Sequence, residues 1–236
     1  MVKPASSRAI GKEPAWRLAL RGVVRLGLLF VVVFGSAGRL DWRRGWLFLF
    51  LMLVIVAINL TVILWKNPEL LRERLKKDEP TKRFDRIILT FALPLSIAVF
   101  IVAGFDVVRF GWSTVPFGWT YAGAALFLLG DVPVAWSMAA NPHLERTARV
   151  QEDRGHKVVT GGPYRFVRHP MYVGVLLMCL AWPILLGSLW AYLPCVSIMV
   201  LMIVRTALED RMLRRELPGY EQYARRTRYR RLPGVW

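Results

Sequence analysis

Six long apolar runs, separated by more polar segments, constrain the fold of this chain more than any other feature. The runs cover residues 22–38, 46–65, 87–104, 119–140, 172–187 and 189–205. A helix needs about 20 apolar residues to cross a bilayer, and the first run and the last two are somewhat shorter than that. Hydrophobic residues make up 55% of the chain, which argues against a soluble fold. The sequence therefore predicts an all-α, polytopic transmembrane helix bundle of about six spans, with five spans as the alternative.

Lysine and arginine are distributed unevenly between the two sides of these spans. Four segments contain 29 of the 33 basic residues: 1–25, 66–86, 141–170 and 205–236. The loops 38–44 and 105–118 contain the other four. Since basic residues accumulate in cytoplasmic segments, this pattern predicts a multi-pass protein with both termini in the cytoplasm, in the plasma (inner) membrane if the source is prokaryotic. A net charge of +17 spread over such loops favours membrane lipids, and not nucleic acid, as partners.

The chain divides into three predicted regions: a cytoplasmic tail at 1–21, N-terminal spans at 22–140, and a C-terminal region at 141–236. Gly187 and Ser188, between the last two apolar runs, predict the tip of a helical hairpin. Polar residues spaced three and four apart predict that the last helix continues into the cytoplasm as far as Leu217. The basic tail from Tyr220 to Arg231 could then fold back over the loop before the hairpin.

The polar segment 66–86 predicts a short helix lying at the membrane interface. Asn67 is a candidate helix cap, Pro68 suits the first helical position, and the helix would end near Pro80. Three leucines would share one side of it: Leu70, Leu71 and Leu75. The alternative is a solvated charged loop in contact with anionic headgroups.

Ionisable side chains at the ends of membrane spans are costly, and two groups of them are candidates for function. The first group precedes and begins the fifth run: His156, Tyr164, Arg168, His169 and Tyr172. Cations beside a helix N-terminus suit an anionic ligand. The second group is Arg205 and Glu209, one turn apart on the last helix, for which an intrahelical ion pair is the alternative. Asp131, near Pro133 in the fourth run, is either a hydrogen-bonded polar residue at a kink or part of a substrate channel.

The order of these residues resembles that of the isoprenylcysteine carboxyl methyltransferase family. The matching run is His156, Thr160, Gly161, Pro163, Tyr164, Arg168-His169-Pro170, Tyr172, Gly174, then Glu209-Asp210, Leu213, Tyr220 and Tyr223. The family is related to the phospholipid methyltransferases and consists of integral-membrane enzymes that use S-adenosylmethionine. The motif match covers about residues 141–236. Two departures stand out: Glu209-Asp210 where two glutamates are frequent, and Leu217-Pro218-Gly219 where Phe-Gly is common.

The resemblance implies that residues 141–236 bind S-adenosylmethionine and transfer its methyl group to a lipophilic acceptor, most simply a prenylcysteine carboxylate. The implied cofactor contacts are Gln151, His156, Lys157, Val158, Val159, Tyr164, Arg168, His169, Pro170, Met171, Tyr172 and Glu209. Arg205 and Glu209 are the implied catalytic residues, with Arg205 beside the substrate. His169 or Arg168 could meet the cofactor carboxylate, and Glu209 its ammonium.

Two other classes of protein are alternatives. Membrane sterol reductases bind NADPH near similar motifs, and a non-enzymatic lipid-binding or transport protein could use the same ionisable residues for headgroups. No metal is predicted, because the chain has three histidines and no pairing of them at metal-ligand spacing. The sequence leaves the methyl acceptor open among a carboxylate, a lipid amine and a small thiol.

Overall fold

The computed structural model describes residues 15–75 and 81–231, and within these ranges every regular element is helical. The α-helices are α1 Ala15–Ala37, α2 Arg43–Lys66, α3 Pro68–Leu75, α4 Arg83–Gly104, α5 Gly118–Ala140, α6 Pro170–Leu186, α7 Tyr192–Glu216 and α8 Tyr220–Arg226. A π-helical segment, Phe105–Phe110, continues α4, and two 3-10 turns lie at Glu152–Arg154 and Gly162–Arg165. The predicted all-α architecture is confirmed.

The six predicted apolar runs all become helices. Four of these helices are long and apolar enough to cross a membrane: α2, α4 with its π-helical continuation, α5 and α7. The other two, Gly22–Ala37 within α1 and all of α6, are shorter apolar helices. This arrangement agrees with a polytopic helical bundle and a multi-pass membrane protein. α1 begins at Ala15, inside the predicted tail, whose first 14 residues lie outside the described part of the chain.

The last two apolar helices form the predicted hairpin. α6 ends at Gly187, whose φ of 77° is a left-handed conformation that glycine adopts without strain. α7 then runs back beyond residue 205, where the last apolar run ends, as far as Glu216, and Leu217 is its C-cap. A helix of 17 residues is about 25 Å long, so the two ends of α6 lie far apart. We call the end with residues 105–118 and 187–191 the hairpin end, and the end with residues 81–86, 141–170 and 205–231 the site end.

α5 and α6 pack against each other through glycines. A Cβ atom added to Gly174 would collide with the carbonyl oxygen of Gly130, and one added to Gly123 would collide with the backbone of Leu185. Such close approach leaves no room for a side chain between the two backbones. Aromatic side chains fill the adjoining core, where the ring of Phe48 lies 4.8 Å from that of Phe100 between centroids.

The predicted short helix is present as α3, its position at the membrane interface stays a prediction, and the predicted side-chain cap is wrong. The side chain of Asn67 donates hydrogen bonds to the carbonyl oxygens of Met138 and Ala139, at 2.6 and 2.9 Å, and so ties α3 to the end of α5 instead of capping α3. Leu70 is fully buried, against a cluster that includes Met138. The side chain of Leu75 and the residues as far as Pro80 lie outside the described part of the chain.

Asp131 is a hydrogen-bonded polar residue inside the bundle. Asn59 of α2 donates a hydrogen bond to one oxygen of Asp131 at 2.7 Å, and Asp131 is buried. A buried carboxylate in a span needs such a partner, since water is not available there. Of the two interpretations of Asp131, the structure favours the satisfied polar residue.

Candidate functional site

A cavity at the site end gathers side chains from both groups that the sequence singled out. Its wall is formed by the loop after α5, the start of α6, the end of α7, and α8. Eleven of the thirteen predicted site residues line it: His156, Val158, Val159, Tyr164, Arg168, His169, Pro170, Met171, Tyr172, Arg205 and Glu209. Gln151 and Lys157 do not line it. The hairpin therefore brings together residues that are about 40 positions apart in the sequence.

Glu209 and Tyr172 join the two halves of this site directly. The phenol of Tyr172 donates a hydrogen bond of 2.6 Å to Oε2 of Glu209, and the ring of Tyr172 stacks on His169 with 5.8 Å between centroids. Oε1 of Glu209 has no hydrogen-bond partner among the described residues. A partly buried carboxylate with one oxygen held and one open suits a cationic ligand.

Arg205 does not form the intrahelical ion pair that was the alternative for it. Its Nε donates to Asp85 of α4 at 2.7 Å, and its Nη2 donates to the carbonyl oxygen of Arg146 at 2.7 Å. The guanidinium carbon lies 5.5 Å from the ring centroid of Tyr172. Arg205 is 7% exposed, so this cation is held by a carboxylate, a carbonyl and an aromatic face.

Arg168 connects the start of α6 with the tail of the chain. Its Nε donates to Asp210 at 2.7 Å, and its Nη1 donates to the carbonyl oxygens of Thr227 and Arg228, each at 2.7 Å. Residues 227–231, which we call the strap, also accept two backbone hydrogen bonds at this point. The amides of Arg168 and His169 donate to the carbonyls of residues 229 and 230 at 3.0 and 2.8 Å. The predicted fold-back of the tail is thus present.

The loop after α5 presents two stacked imidazoles to the cavity. The rings of His143 and His156 have centroids 4.5 Å apart. Burial, with the neighbouring His143, Arg149 and Arg154, lowers the pKa of His156 to about 4, so this ring is neutral at pH 7. Gln151 is buried behind them, where its side-chain amide donates to the carbonyl oxygen of His143 at 2.7 Å. Gln151 therefore supports the loop, and Lys157 is exposed.

Tyrosines form the wall opposite these histidines. Burial raises the pKa of Tyr164 to about 12, and its hydroxyl accepts a hydrogen bond from Asn141 at 3.1 Å. The hydroxyl of Tyr223 donates to the carbonyl oxygen of Tyr164 at 2.7 Å, and burial raises the pKa of Tyr223 well above its usual range. These phenols stay protonated at neutral pH and present flat, largely apolar faces to a ligand.

Several residues of the site were not found from the sequence. Asp85 lies in the first turn of α4, about 120 residues before Arg205, and only the fold brings the two together. His143 and Met212 line the cavity but lie outside the run of residues that carried the prediction. No sequence signal distinguishes Asp85 from the other charges of the segment 66–86.

No group of three or more His, Cys, Asp or Glu side chains that could hold a metal ion occurs within residues 15–75 and 81–231. The prediction that the protein uses no metal stays a prediction. The ligand set of the cavity consists of one open carboxylate, buried arginines, neutral imidazoles and protonated phenols.

Comparison with known proteins finds similarity in the second half of the chain. The curated cobalt-zinc-cadmium resistance protein CzcN of Cupriavidus metallidurans is 32% identical over 115 residues, which is 46% of this chain and 50% of that relative. The chain thus spans about half the length of the curated relative it matches. The family model of the phospholipid methyltransferases, integral-membrane methyltransferases that include the isoprenylcysteine carboxyl methyltransferases, matches residues 119–218. The matched residues 119–218 contain most of α5, all of α6, most of α7 and most of the cavity wall.

Proposed function

We propose that this protein is an integral-membrane methyltransferase that transfers a methyl group from S-adenosylmethionine to a lipophilic acceptor, with a carboxylate as the accepting group. The observation that carries the proposal is the hydrogen bond between Tyr172 and Glu209, in a cavity whose wall lies mostly within the residues that match the methyltransferase family model. This hydrogen bond leaves Oε1 of Glu209 open, in a cavity that is also lined by tyrosines and by the buried Arg205. The family match supports methyl transfer, and the nature of the acceptor rests on Arg205.

The residues of the cavity fit the chemistry of S-adenosylmethionine. The open Oε1 of Glu209 would accept hydrogen bonds from its ammonium, and Tyr164 would pack against its adenine or ribose. Arg168 and His169 both line the cavity and both contact Asp210. Arg168 is bonded to Asp210 at 2.7 Å and to the strap, whereas His169 makes longer contacts, of 3.5 Å with Asp210 and 3.4 Å with Tyr220, so we assign the cofactor carboxylate to His169. When bound, S-adenosylmethionine supplies a methyl group activated by a sulfonium charge.

The protein would contribute alignment and exclusion of water to the reaction, since displacement at a methyl group needs little acid or base catalysis once the nucleophile is ionised. Tyr172 fixes the carboxylate of Glu209 by a hydrogen bond, which restricts how a bound cation can lie. Nη1 of Arg205 has no hydrogen-bond partner among the described residues, so it would bind the acceptor carboxylate and keep it ionised. The strap covers the start of α6 and would limit access of water.

The full chain in detergent micelles, incubated with methyl-tritiated S-adenosylmethionine, tests this proposal. N-acetyl-S-farnesylcysteine serves as the carboxylate probe, and phosphatidylethanolamine vesicles serve as the amine probe. We expect label in the farnesyl probe that alkali releases as methanol, because methyl esters hydrolyse and methylated amines do not. Alkali-stable label in the vesicle lipid would contradict the carboxylate assignment and retain the methyltransferase.

A ligand-binding measurement separates this function from the two alternatives. S-adenosylhomocysteine should raise the unfolding temperature of the protein, and NADPH should not. Stabilisation by NADPH alone would favour a reductase. Stabilisation by neither ligand, together with no label in either probe, would favour a lipid-binding protein.

A further inference from the structure

Asp85 is a fully buried carboxylate outside the part of the chain that matches the methyltransferase family. It lies in the first turn of α4 and is 0% exposed. Its Oδ1 accepts the hydrogen bond from Nε of Arg205, and its Oδ2 accepts hydrogen bonds from Thr81 at 2.9 Å and from the amide of Ala148 at 2.8 Å. Asp85 therefore joins three segments, α4, α7 and the loop after α5, at one point.

These contacts fix the plane of the Arg205 guanidinium. A guanidinium is planar, so when Nε is held by Asp85 and Nη2 by the carbonyl oxygen of Arg146, the direction of Nη1 is set as well. Arg205 lines the cavity, whereas Asp85 does not. Asp85 thus acts behind the cation, on the side away from any ligand.

The charge of Asp85 also balances a cation that would otherwise be buried without a counterion. Among the described residues, Asp85 is the carboxylate paired with Arg205 within 4.0 Å. Removing one partner of a buried ion pair leaves the other without compensation, and the remaining side chain then moves or takes another partner.

We propose that Asp85 is a positioning residue for the methyl acceptor: it holds Arg205 so that Nη1 faces the acceptor. This inference rests on the proposed function. It assigns to the N-terminal helices a direct part in acceptor recognition, while the cofactor contacts remain on α6, α7 and the loop between α5 and α6.

Asp85→Asn in the full chain tests the proposal, because asparagine keeps the shape of the side chain and removes its charge. We expect kcat/KM for N-acetyl-S-farnesylcysteine to fall about 100-fold, since small displacements of a positioning group have effects of that size. The dissociation constant for S-adenosylhomocysteine should stay within about twofold, because Arg205 is not among its assigned contacts. Asp85→Glu should recover a large part of the loss.

Glu216→Gln is the matched control. Lys82 and Glu216 also join the start of α4 to α7, by an ion pair of 2.7 Å whose side chains are 40% and 41% exposed. Lys82 lies three residues before Asp85, and Glu216 lies about three turns beyond Arg205. Removing this exposed pair should leave both constants within about twofold of the wild type.

Arg205→Lys completes a double-mutant cycle. If Asp85 acts through Arg205, adding Asp85→Asn to Arg205→Lys should lower kcat/KM by less than about threefold, because the two residues share one function. Multiplicative losses would overturn the proposal, and so would an unchanged kcat/KM in Asp85→Asn. Equal loss of S-adenosylhomocysteine binding would overturn it too, by showing that Asp85 acts on the whole site. If the wild-type protein binds S-adenosylhomocysteine and methylates the probe, the proposed function is retained even when the Asp85 proposal fails. A wild-type protein that does neither would overturn both the proposed function and the Asp85 proposal.

Discussion

The two ends of α4 each hold a fully buried aspartate, and the two aspartates have different surroundings. Asp85, at the site end, faces the cation of Arg205. Asp106, in the π-helical continuation at the hairpin end, accepts hydrogen bonds of 2.6 Å from the hydroxyls of Ser113 and Ser188 on the same oxygen. Neutral hydroxyls therefore surround Asp106, and a cation that lines the cavity faces Asp85.

This difference separates a structural network from a functional one. The hydroxyls around Asp106 belong to the loop before α5 and to the hairpin tip, so the network closes the turn between α6 and α7. At the site end, Glu209 and Arg205 line the cavity and each has one polar atom without a hydrogen-bond partner among the described residues, whereas the unpartnered Oδ1 of Asp106 is buried. We therefore expect substitutions at the hairpin end to change stability, and substitutions at the site end to change binding and turnover.

Neutralising Glu209 should have the largest effect. Glu209→Gln removes the charge that would bind the cofactor ammonium, and we expect methyl transfer to fall about 100- to 1000-fold. The SDS concentration at which the protein unfolds in mixed micelles should change little, since the cavity side of Glu209 has no protein partner. Transfer to N-acetyl-S-farnesylcysteine measures the effect, with Glu216→Gln as the control. Wild-type turnover in Glu209→Gln would contradict the expectation that substitutions at the site end change turnover.

Truncating Asp106 should give the converse result. Asp106→Ala leaves the hydroxyls of Ser113 and Ser188 without their acceptor, and we expect a loss of about 2–4 kcal/mol in the free energy of unfolding. Turnover per folded molecule should stay within about twofold. Asp41→Ala is the control at the same end, because Asp41 pairs with Arg39 at the surface and should cost under about 1 kcal/mol. A fall in turnover without unfolding would show that the hairpin end affects the site directly.

Gly174→Val should affect both ends, because Gly174 lies in the contact between α5 and α6. An added side chain meets the carbonyl oxygen of Gly130, so the helices must separate, at a cost of about 1–3 kcal/mol. We expect both unfolding in SDS and methyl transfer to report this change. Gly118→Ala is the control, since a Cβ there meets nothing within 4 Å. Equal stability of the two variants would contradict the close packing.

Mild acid should loosen the site end before the hairpin end. The three histidines of the chain all lie at the site end. Because the pKa of His156 is about 4 in the folded protein and about 6.5 when unfolded, the unfolded state binds more protons between these values. Stability should therefore fall as the pH drops from about 6.5 to about 4, by about 1–2 kcal/mol for a partly exposed ring. Above pH 6.5 this contribution should not change.

Hydrogen exchange can locate that change. Amides of the loop 151–159 should exchange faster at pH 5 than at pH 7, after correction for intrinsic rates, while those of 105–113 should not. His156→Gln should flatten the dependence. Equal changes at both ends would show that another group is titrating.

Lys157→Ala should have the smallest effect. The resemblance implies a cofactor contact at Lys157, but its side chain is exposed and outside the cavity wall. We expect the dissociation constant for S-adenosylhomocysteine to stay within about twofold. Calorimetry measures this constant, and a tenfold loss of affinity would show that the ligand site includes Lys157.

The fold could largely be predicted from the sequence, because apolar runs and their spacing determine helices in a membrane chain. The hairpin at Gly187 and the extension of α7 to Glu216 followed from local signals. Asn67 was misjudged because its role depends on where the end of α5 lies, which no local pattern reveals. The charges in segments 66–86 and 141–170 are numerous, and sequence spacing cannot show which of them meet.

The same limit applies to the site. Glu209, His169 and Tyr172 were found because their motif is local and ordered. Asp85 was not found, since its partner is 120 residues away. Arg168 lines the cavity, and its attachment to Asp210 and the strap appears only in three dimensions, so its predicted cofactor contact stays a prediction.

The strap has a consequence for how the protein matures. It follows α1 to α8 in the sequence, so it leaves the ribosome after these helices have been synthesised. A nascent chain that has reached only α8 contains the candidate spans of the described residues but lacks the residues that cover the start of α6. Competence for the cofactor would then arise at a late step of biosynthesis, after insertion into the membrane.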